Sequence, residues 1–465
     1  MRLSDELADM TQIETILVGY LALVTGIGVY SFFKVKDASD YYVSGKRGSW
    51  WQISGSLFAT IMGGSAILGT IELSQKAGWS AAWFLLSASA GLFVLSMISR
   101  KISLLGHYTL PELLLRFYGK RAEKAASLLI PVAWTGIIAA QIIAGAKILE
   151  SLDITNYQNG ALVCGAIFIF YTLAGGQLSI LKTDFAQALI ILAGIITMFI
   201  LRLAHPPVIH LQEVPEITLF NDAFKVADLL ILMLTYSITF VVGPDIYSRI
   251  FCARNEKVAQ RSVIIVAVLL IPVAFILTYL GVMAGGQATG GSGFVIPGSS
   301  FLPPWALGLM AAALLSAVMS SADTTLLNSS MILSELFTGD LDKPGGIRLT
   351  RIFIVIMGVF SLIIALKVTS ILNALLLSLT FFSGAFIIPV IAGLADWPIR
   401  RGNVIYAIVI GGTLALTGKI LTDLYGIAIG YWLILAAFVL NASILLAGSK
   451  AKKKPPTKMT GGYTL

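Results

Sequence analysis

Long apolar stretches alternate with short polar or Gly/Pro-marked ones along almost the whole chain. A helix needs about 20 apolar residues to cross a bilayer core. Stretches of that kind fall near 13–33, 51–75, 79–99, 125–149, 158–176, 184–204, 227–250, 259–284, 304–337, 349–367, 370–394, 402–422 and 427–448. The pattern predicts an all-α integral membrane protein of about 13 transmembrane helices.

Composition agrees: 57% of the 465 residues are hydrophobic and 12% charged, with a mean hydropathy of +0.88, far from the soluble range. Charge placement then sets the register of the spans, because cytoplasmic loops hold an excess of Lys and Arg. Of the 32 basic residues, 25 lie in or beside the gaps after odd-numbered spans, including four around the end of the seventh. A count wrong by one would scramble that alternation. The expectation is a multi-pass cell-membrane protein with its N-terminus outside and its C-terminus cytoplasmic.

The net charge of +8 therefore calls for no nucleic-acid partner. Inside loops account for most of it, and a basic tail, Lys450 to Lys458, would lie against anionic lipid. Cys164 and Cys252, the only cysteines, imply no disulfide framework. The N-terminal segment lacks the basic region of a cleaved signal, so the first span reads as an anchor. His107, His205 and His210 fall in predicted loops and read as solvated surface rather than metal ligands. Without a Walker loop, a dinucleotide fingerprint or a Cys/His cluster, neither an enzyme nor an ATP-driven pump is indicated, and no organic cofactor is called for.

Two spans are interrupted in corresponding places. The second reads SLFATIMGGSAILG around Gly63-Gly64, and the seventh reads TYSITFVVGPDIYSRIF around Gly243-Pro244. Adjacent glycines weaken a helix and a proline removes one of its hydrogen bonds. Each break opens a block of five spans, and the two blocks run in opposite directions through the membrane. That is the layout of an inverted-repeat secondary transporter, whose broken helices offer backbone groups to substrate and ion near the midplane. The expected organisation is an extra helix and loop over 1–50, a first repeat over 51–204, a second over 227–394, two further helices over 402–448, and a tail over 449–465.

The ninth span carries LSAVMSSADTTLLNSS at its centre. At 100° per residue, Ala317, Ser320, Ser321, Thr324 and Asn328 share one face. Isolated membrane Ser and Thr residues bond back to their own helix; a contiguous stripe of hard oxygens also suits a small hard cation, by the logic of other oxygen sites. Asp323 lies on the flank of the stripe, and a carboxylate there costs ~2.5 to 3.5 kcal/mol on the lenient insertion scale. It therefore faces a partner, a cation or a water-filled path.

Five stretches, DYYVSGKRGSWW, FATIMGGSAILG, YTLPELLLRFYG, YTLAGGQLSILKTDFAQA and AVMSSADTTLLNSS, together resemble the sodium:solute symporters. That family includes proline, pantothenate, sugar, sialic acid and iodide carriers. The resemblance covers roughly residues 40 to 340. It implies a leucine-transporter-like core of five plus five helices, sodium as the coupling ion, and solute import by alternating access without covalent chemistry. Carried over residue by residue, it implies that sodium is held by Ala59 and Met62 at the first break and by Ala317, Ser320 and Ser321. A second cation or a proton would lie at Asp184, Asp323 and Thr324. Here an acid stands at 323 where a serine occurs in at least some relatives, which leaves sodium binding, proton sharing and relay of release open as roles for Asp184 and Asp323.

The substrate would sit at Gly63, Gly64 and Ser65, with Gln141, Tyr236 and Phe381 facing it; Trp134, Thr135, Thr239, Phe382 and Ser383 are further candidates. The fourth span has no central Arg or Lys for a sialic-acid-type ligand, and the third has no carboxylate or amide for a sugar. A small amino acid such as proline, or a short monocarboxylate, fits better. The other readings are a proton-coupled amino-acid permease and a membrane sensor that keeps the fold without turnover. Partners are thus a small solute, sodium and the bilayer, with nothing in the chain fixing an oligomer.

Overall fold

The computed structural model describes residues 2–105, 108–205, 217–284 and 302–447. His107, His210, the glycine-rich stretch over 285–301 and the tail over 449–465 lie outside them. The described residues form helices joined by short turns: α1 (Arg2–Phe32), α2 (Ala38–Val43), α3 (Trp50–Ile61), α4 (Gly64–Ala77), α5 (Ala82–Leu105), α6 (Leu110–Tyr118), α7 (Lys120–Ser151) and α8 (Tyr157–Ala204). They continue as α9 (Val226–Leu232), α10 (Thr239–Val242), α11 (Pro244–Cys252), α12 (Glu256–Ala284), α13 (Pro304–Thr338), α14 (Gly346–Lys367), α15 (Ile371–Leu394), α16 (Asn403–Tyr425) and α17 (Ile429–Leu446). Among these residues there is no strand, only isolated backbone bridges such as Gly48 with Ala253.

Among the described residues eleven stretches are long and apolar enough to cross a membrane, and Tyr157–Leu173 is a shorter apolar helix. The gap expected over 177–183 is helical: α8 continues through it and kinks instead at Gly176, whose φ of 58° lies in the left-handed region. A Cβ there would stand 2.6 Å from the Tyr41 ring, so both conformation and space require glycine.

Helix α13 forms the centre. In its membrane window 78% of residues are buried, against 28% in α1. It packs on α7, α8, α14, α1 and α3, while α12 lies against α5 and α4, and α15 joins α7 to α16. Large exposed apolar residues such as Met97, Phe170 and Trp432 lie on the outside, where a helix bundle in lipid can leave them.

Both expected breaks are present, with different chemistry. Helix α3 stops at Ile61, and Gly63 is extended (φ −62°, ψ 168°) before α4 begins. The last α3 bond runs from the Met62 N–H to the Phe58 carbonyl, and the next turn is set by the Gly63 carbonyl accepting from Ala66 and Ile67. The carbonyls just before the break are thus at a helix end, where intrahelical donors run out. The other break follows a π-helical turn over Met233–Ser237: Gly243 is extended (φ −67°, ψ 132°) and Pro244 opens α11, a position where its missing N–H costs nothing.

Candidate ion and solute site

The stripe on α13 meets a different neighbour at each turn. Ser321 Oγ donates to the Thr60 carbonyl at 2.7 Å, and Ser320 Oγ donates to Asp184 Oδ1 at 2.6 Å. A hydroxyl has one proton and two lone pairs, so both serines give away the proton and keep oxygen lone pairs for another group. Ala59, Met62, Ala317 and Ser320 have no exposed surface, and Ser321 is buried. The break approaches so closely that a Cβ on Gly63 would lie 2.3 Å from Ser321 Oγ. The end of α3 and Ser321 are thus in direct contact, and carbonyl and hydroxyl oxygens are the hard donor types that suit a sodium ion.

One turn further along, the stripe meets a cation belonging to the chain. Arg249 of α11 has a side chain with no exposure, and its Nη2 lies 2.8 Å from Asp184 Oδ2. The guanidinium also donates from Nε to Ser56 Oγ and from Nη1 to Ser248 Oγ, each at 3.0 Å, and from Nη2 to Thr324 Oγ1. Ser56 donates in turn to Asp184 Oδ2. Asn328 closes the stripe with a 3.2 Å bond from Nδ2 to Ser248 Oγ. A buried guanidinium with several donors engaged is the arrangement that makes a buried ion pair tolerable. Asp323, also buried, turns to α8 instead, where Thr172 Oγ1 donates to its Oδ1 at 3.1 Å. Asp184, Asp323 and Thr324 are therefore gathered in one region, but Asp184 and Thr324 are bound to Arg249 and Asp323 is not.

Beside the first break lies a cavity that is partly open to solvent. Ser65, Gln141, Tyr236, Trp134 and Thr239 line it, together with Thr60, Phe240, Asp245, Ser321 and Thr325. Gln141 Nε2 donates to Ser65 Oγ at 3.0 Å, tying α7 to the first turn of α4. Gly64 backs this pair: a Cβ on it would meet Val318 at 2.3 Å. Phe381 is not among the lining residues; its ring packs over Gly412 of α16, 3.0 Å from where a Cβ would be. Phe382 reaches the site only indirectly, edge-on to Trp134 at 4.6 Å. Thr135 and Ser383 bond back to their own helices.

Three residues important to this geometry escape the sequence reading: Arg249, Asp245 and Thr60. Charge counting groups Arg249 with the basic residues at the cytoplasmic end of the seventh span. Its signal is that it falls five residues after Pro244, still within the predicted span. Asp245 follows the Gly-Pro break directly, and an ionisable residue at a break in a membrane helix is a functional candidate by position alone.

A bundle with two broken helices around a buried polar stripe, with a cavity beside the first break, has the layout of a secondary transporter. The family model for the sodium:solute symporter family matches residues 41–397, and the chain belongs to that family. It is a sodium-coupled solute symporter. The chain is 24% identical to the sodium/pantothenate symporter of Escherichia coli, covering 94% of this chain and 97% of that one. It is 23% identical to the osmoregulated proline transporter OpuE of Bacillus subtilis, with 94% of each covered. Among solved structures, a Na+-coupled sialic acid symporter in a substrate-bound outward-open state aligns with a TM-score of 0.76 at 19% identity, over 94% of this chain and 97% of that chain; the shared feature is the fold.

Proposed function

We propose that this symporter binds one sodium ion at Ala59, Met62, Ala317, Ser320 and Ser321, and a small organic solute, an amino acid or a short monocarboxylate, in the adjoining cavity. The observation that carries the proposal is a shared wall. Ser321, one of the proposed sodium ligands, also lines the cavity, as does Thr60, whose carbonyl accepts the Ser321 hydrogen bond. Sodium that fixes Ser321 and the α3 end also fixes one side of the solute pocket, so each ligand raises the affinity for the other; the coupling is reciprocal by linkage.

The region of Asp184, Asp323 and Thr324 takes no second transported cation in this reading. Arg249 supplies the positive charge from within the chain. That also weighs against the proton-coupled reading, because Asp184 has a permanent partner 2.8 Å away. Alternating access then proceeds by relative motion of the two five-helix repeats, 51–204 and 227–394, around the fixed site, with the N-terminus outside and the C-terminus inside.

Uptake of labelled proline and of labelled pyruvate into proteoliposomes, with an inward sodium gradient, an inward proton gradient or neither, tests the proposal. Accumulation is expected under the sodium gradient alone. Accumulation driven by protons without sodium would transfer the coupling role to the acids and overturn the assignment of Arg249.

A further inference from the structure

The cavity contains one carboxylate, Asp245, second residue of α11. Its surroundings are unusual for an acid within a membrane protein. Among the described residues Asp245 forms no ion pair; the nearby Arg249 charge and the backbone N–H groups of Asp245 and Ile246 support its carboxylate from one side. Arg249, one turn on, directs its guanidinium to Asp184, Ser56, Ser248 and Thr324. The carboxylate shares the cavity with the rings of Trp134, Tyr236 and Phe240. Tyr236 is itself held in place, stacked on Phe84 at 4.2 Å and edge-on to Phe240 at 5.0 Å.

A second observation points to a ligand. Three buried polar atoms of cavity-lining residues, Thr60 Oγ1, Trp134 Nε1 and Gln141 Oε1, have no hydrogen-bond partner. Buried polar atoms of this kind are normally satisfied; thirteen more occur elsewhere among the described residues, and these three are the ones on residues of the pocket wall. They offer an N–H donor, a hydroxyl and an amide acceptor beside an acid.

We infer that the transported solute carries a positively charged nitrogen, which binds the Asp245 carboxylate against the Trp134, Tyr236 and Phe240 rings. The inference rests on the cavity being the solute site of the symport reading. A cation beside a carboxylate and over aromatic faces gains from both, and the Gln141 amide oxygen accepts a further N–H where the nitrogen carries one. A plain monocarboxylate brings a second negative charge into the same enclosed space and is disfavoured. A neutral sugar brings no positive charge to Asp245. A zwitterion meets both ends: its carboxylate takes the free Trp134 N–H and the Thr60 hydroxyl while its ammonium takes Asp245.

The test uses the full chain in lipid nanodiscs and follows thermal stability with and without sodium. The probes are proline and glycine betaine as zwitterions, choline as a cation without a carboxylate, pyruvate and pantothenate as anions, and glucose. In sodium, at least one ammonium-bearing probe is expected to raise the melting temperature, and the anions and glucose to leave it unchanged. Asp245→Asn is expected to raise the concentration of that probe needed by tenfold or more, while the shift produced by sodium alone persists. If Asp245→Asn does not fold, Trp134→Phe keeps a ring and removes the N–H; a zwitterion should then lose affinity and choline should not.

A response confined to pyruvate, pantothenate or glucose, with the sodium shift intact, overturns the inference and leaves the symport reading standing. So does an intact sodium shift with no response to any ammonium probe, or an ammonium response that Asp245→Asn leaves unchanged. Loss of the sodium shift with an Asp245-dependent ammonium response retained overturns the sodium site instead.

Discussion

The two halves of the polar stripe on α13 solve one problem in opposite ways. Toward the α3–α4 break, Ser321 meets the neutral Thr60 carbonyl, beside the proposed sodium ligands. One turn along, Thr324 and the Asp184 carboxylate face a guanidinium fixed to α11. A site meant to release its cation is built from neutral dipoles whose strength limits the affinity. A site whose cation never leaves can use a full negative charge, since the desolvation cost is met once, on folding. Ser320 touches both halves: it belongs to the proposed sodium set and its proton goes to Asp184.

The largest effect should come from breaking the fixed half. Arg249→Met leaves Asp184 buried without its charge partner, and loss of one member of a buried pair costs about 3–5 kcal/mol. Thermal melts of the purified protein should show a large drop or no folded material. The double substitution Arg249→Met with Asp184→Asn should recover much of that loss, because neither charge remains; additive losses would mean the pair is not the cause.

Next in size is Gly63→Ala. The new methyl would stand 2.3 Å from Ser321 Oγ, and forcing an extra carbon into a packed contact costs about 1–3 kcal/mol. Sodium affinity should fall with it, read as the sodium concentration giving half-maximal uptake. Ser321→Ala should separate the two effects. The hydrogen bond it removes contributes about 1 kcal/mol to stability, so folding should persist while the half-maximal sodium concentration rises tenfold or more. Unchanged sodium dependence would remove Ser321 from the ion site.

Asp323→Asn should have the smallest effect. Asn can still accept from Thr172 Oγ1 through its amide oxygen, and the sodium-to-solute ratio, measured by dual-isotope uptake, should not change. A lower ratio would make Asp323 part of an ion path that the fixed cation does not replace.

How far the sequence reveals this arrangement depends on whether a property is local. Helix periodicity and the Gly-Gly and Gly-Pro breaks are local, so α3 and α10 end, and α4 and α11 begin, where those residues dictate. The stripe on α13 is a matter of spacing within one helix, and its members do share a buried face. Arg249 is different: its meaning lies in contacts with Ser56 on α3, Asp184 on α8 and Thr324 on α13, 193, 65 and 75 positions away. Charge counting alone classes it as interfacial. Phe381 illustrates the converse, since composition cannot say that its ring turns to Gly412 while Trp134 on α7 reaches the cavity.

On the one-sodium proposal, Arg249 would also set how steep a solute gradient this protein can sustain. Each sodium ion that enters contributes the membrane potential, about 2.3 kcal/mol per 100 mV, and about 1.4 kcal/mol more for a tenfold concentration difference across the membrane. With one sodium per turnover and a net-neutral solute, the attainable ratio of inside to outside is therefore some hundreds at those values, and a second ion would square it. On the one-sodium proposal, Arg249 stands where a second cation would bind, so that square is forgone and only one sodium need bind and dissociate in each cycle.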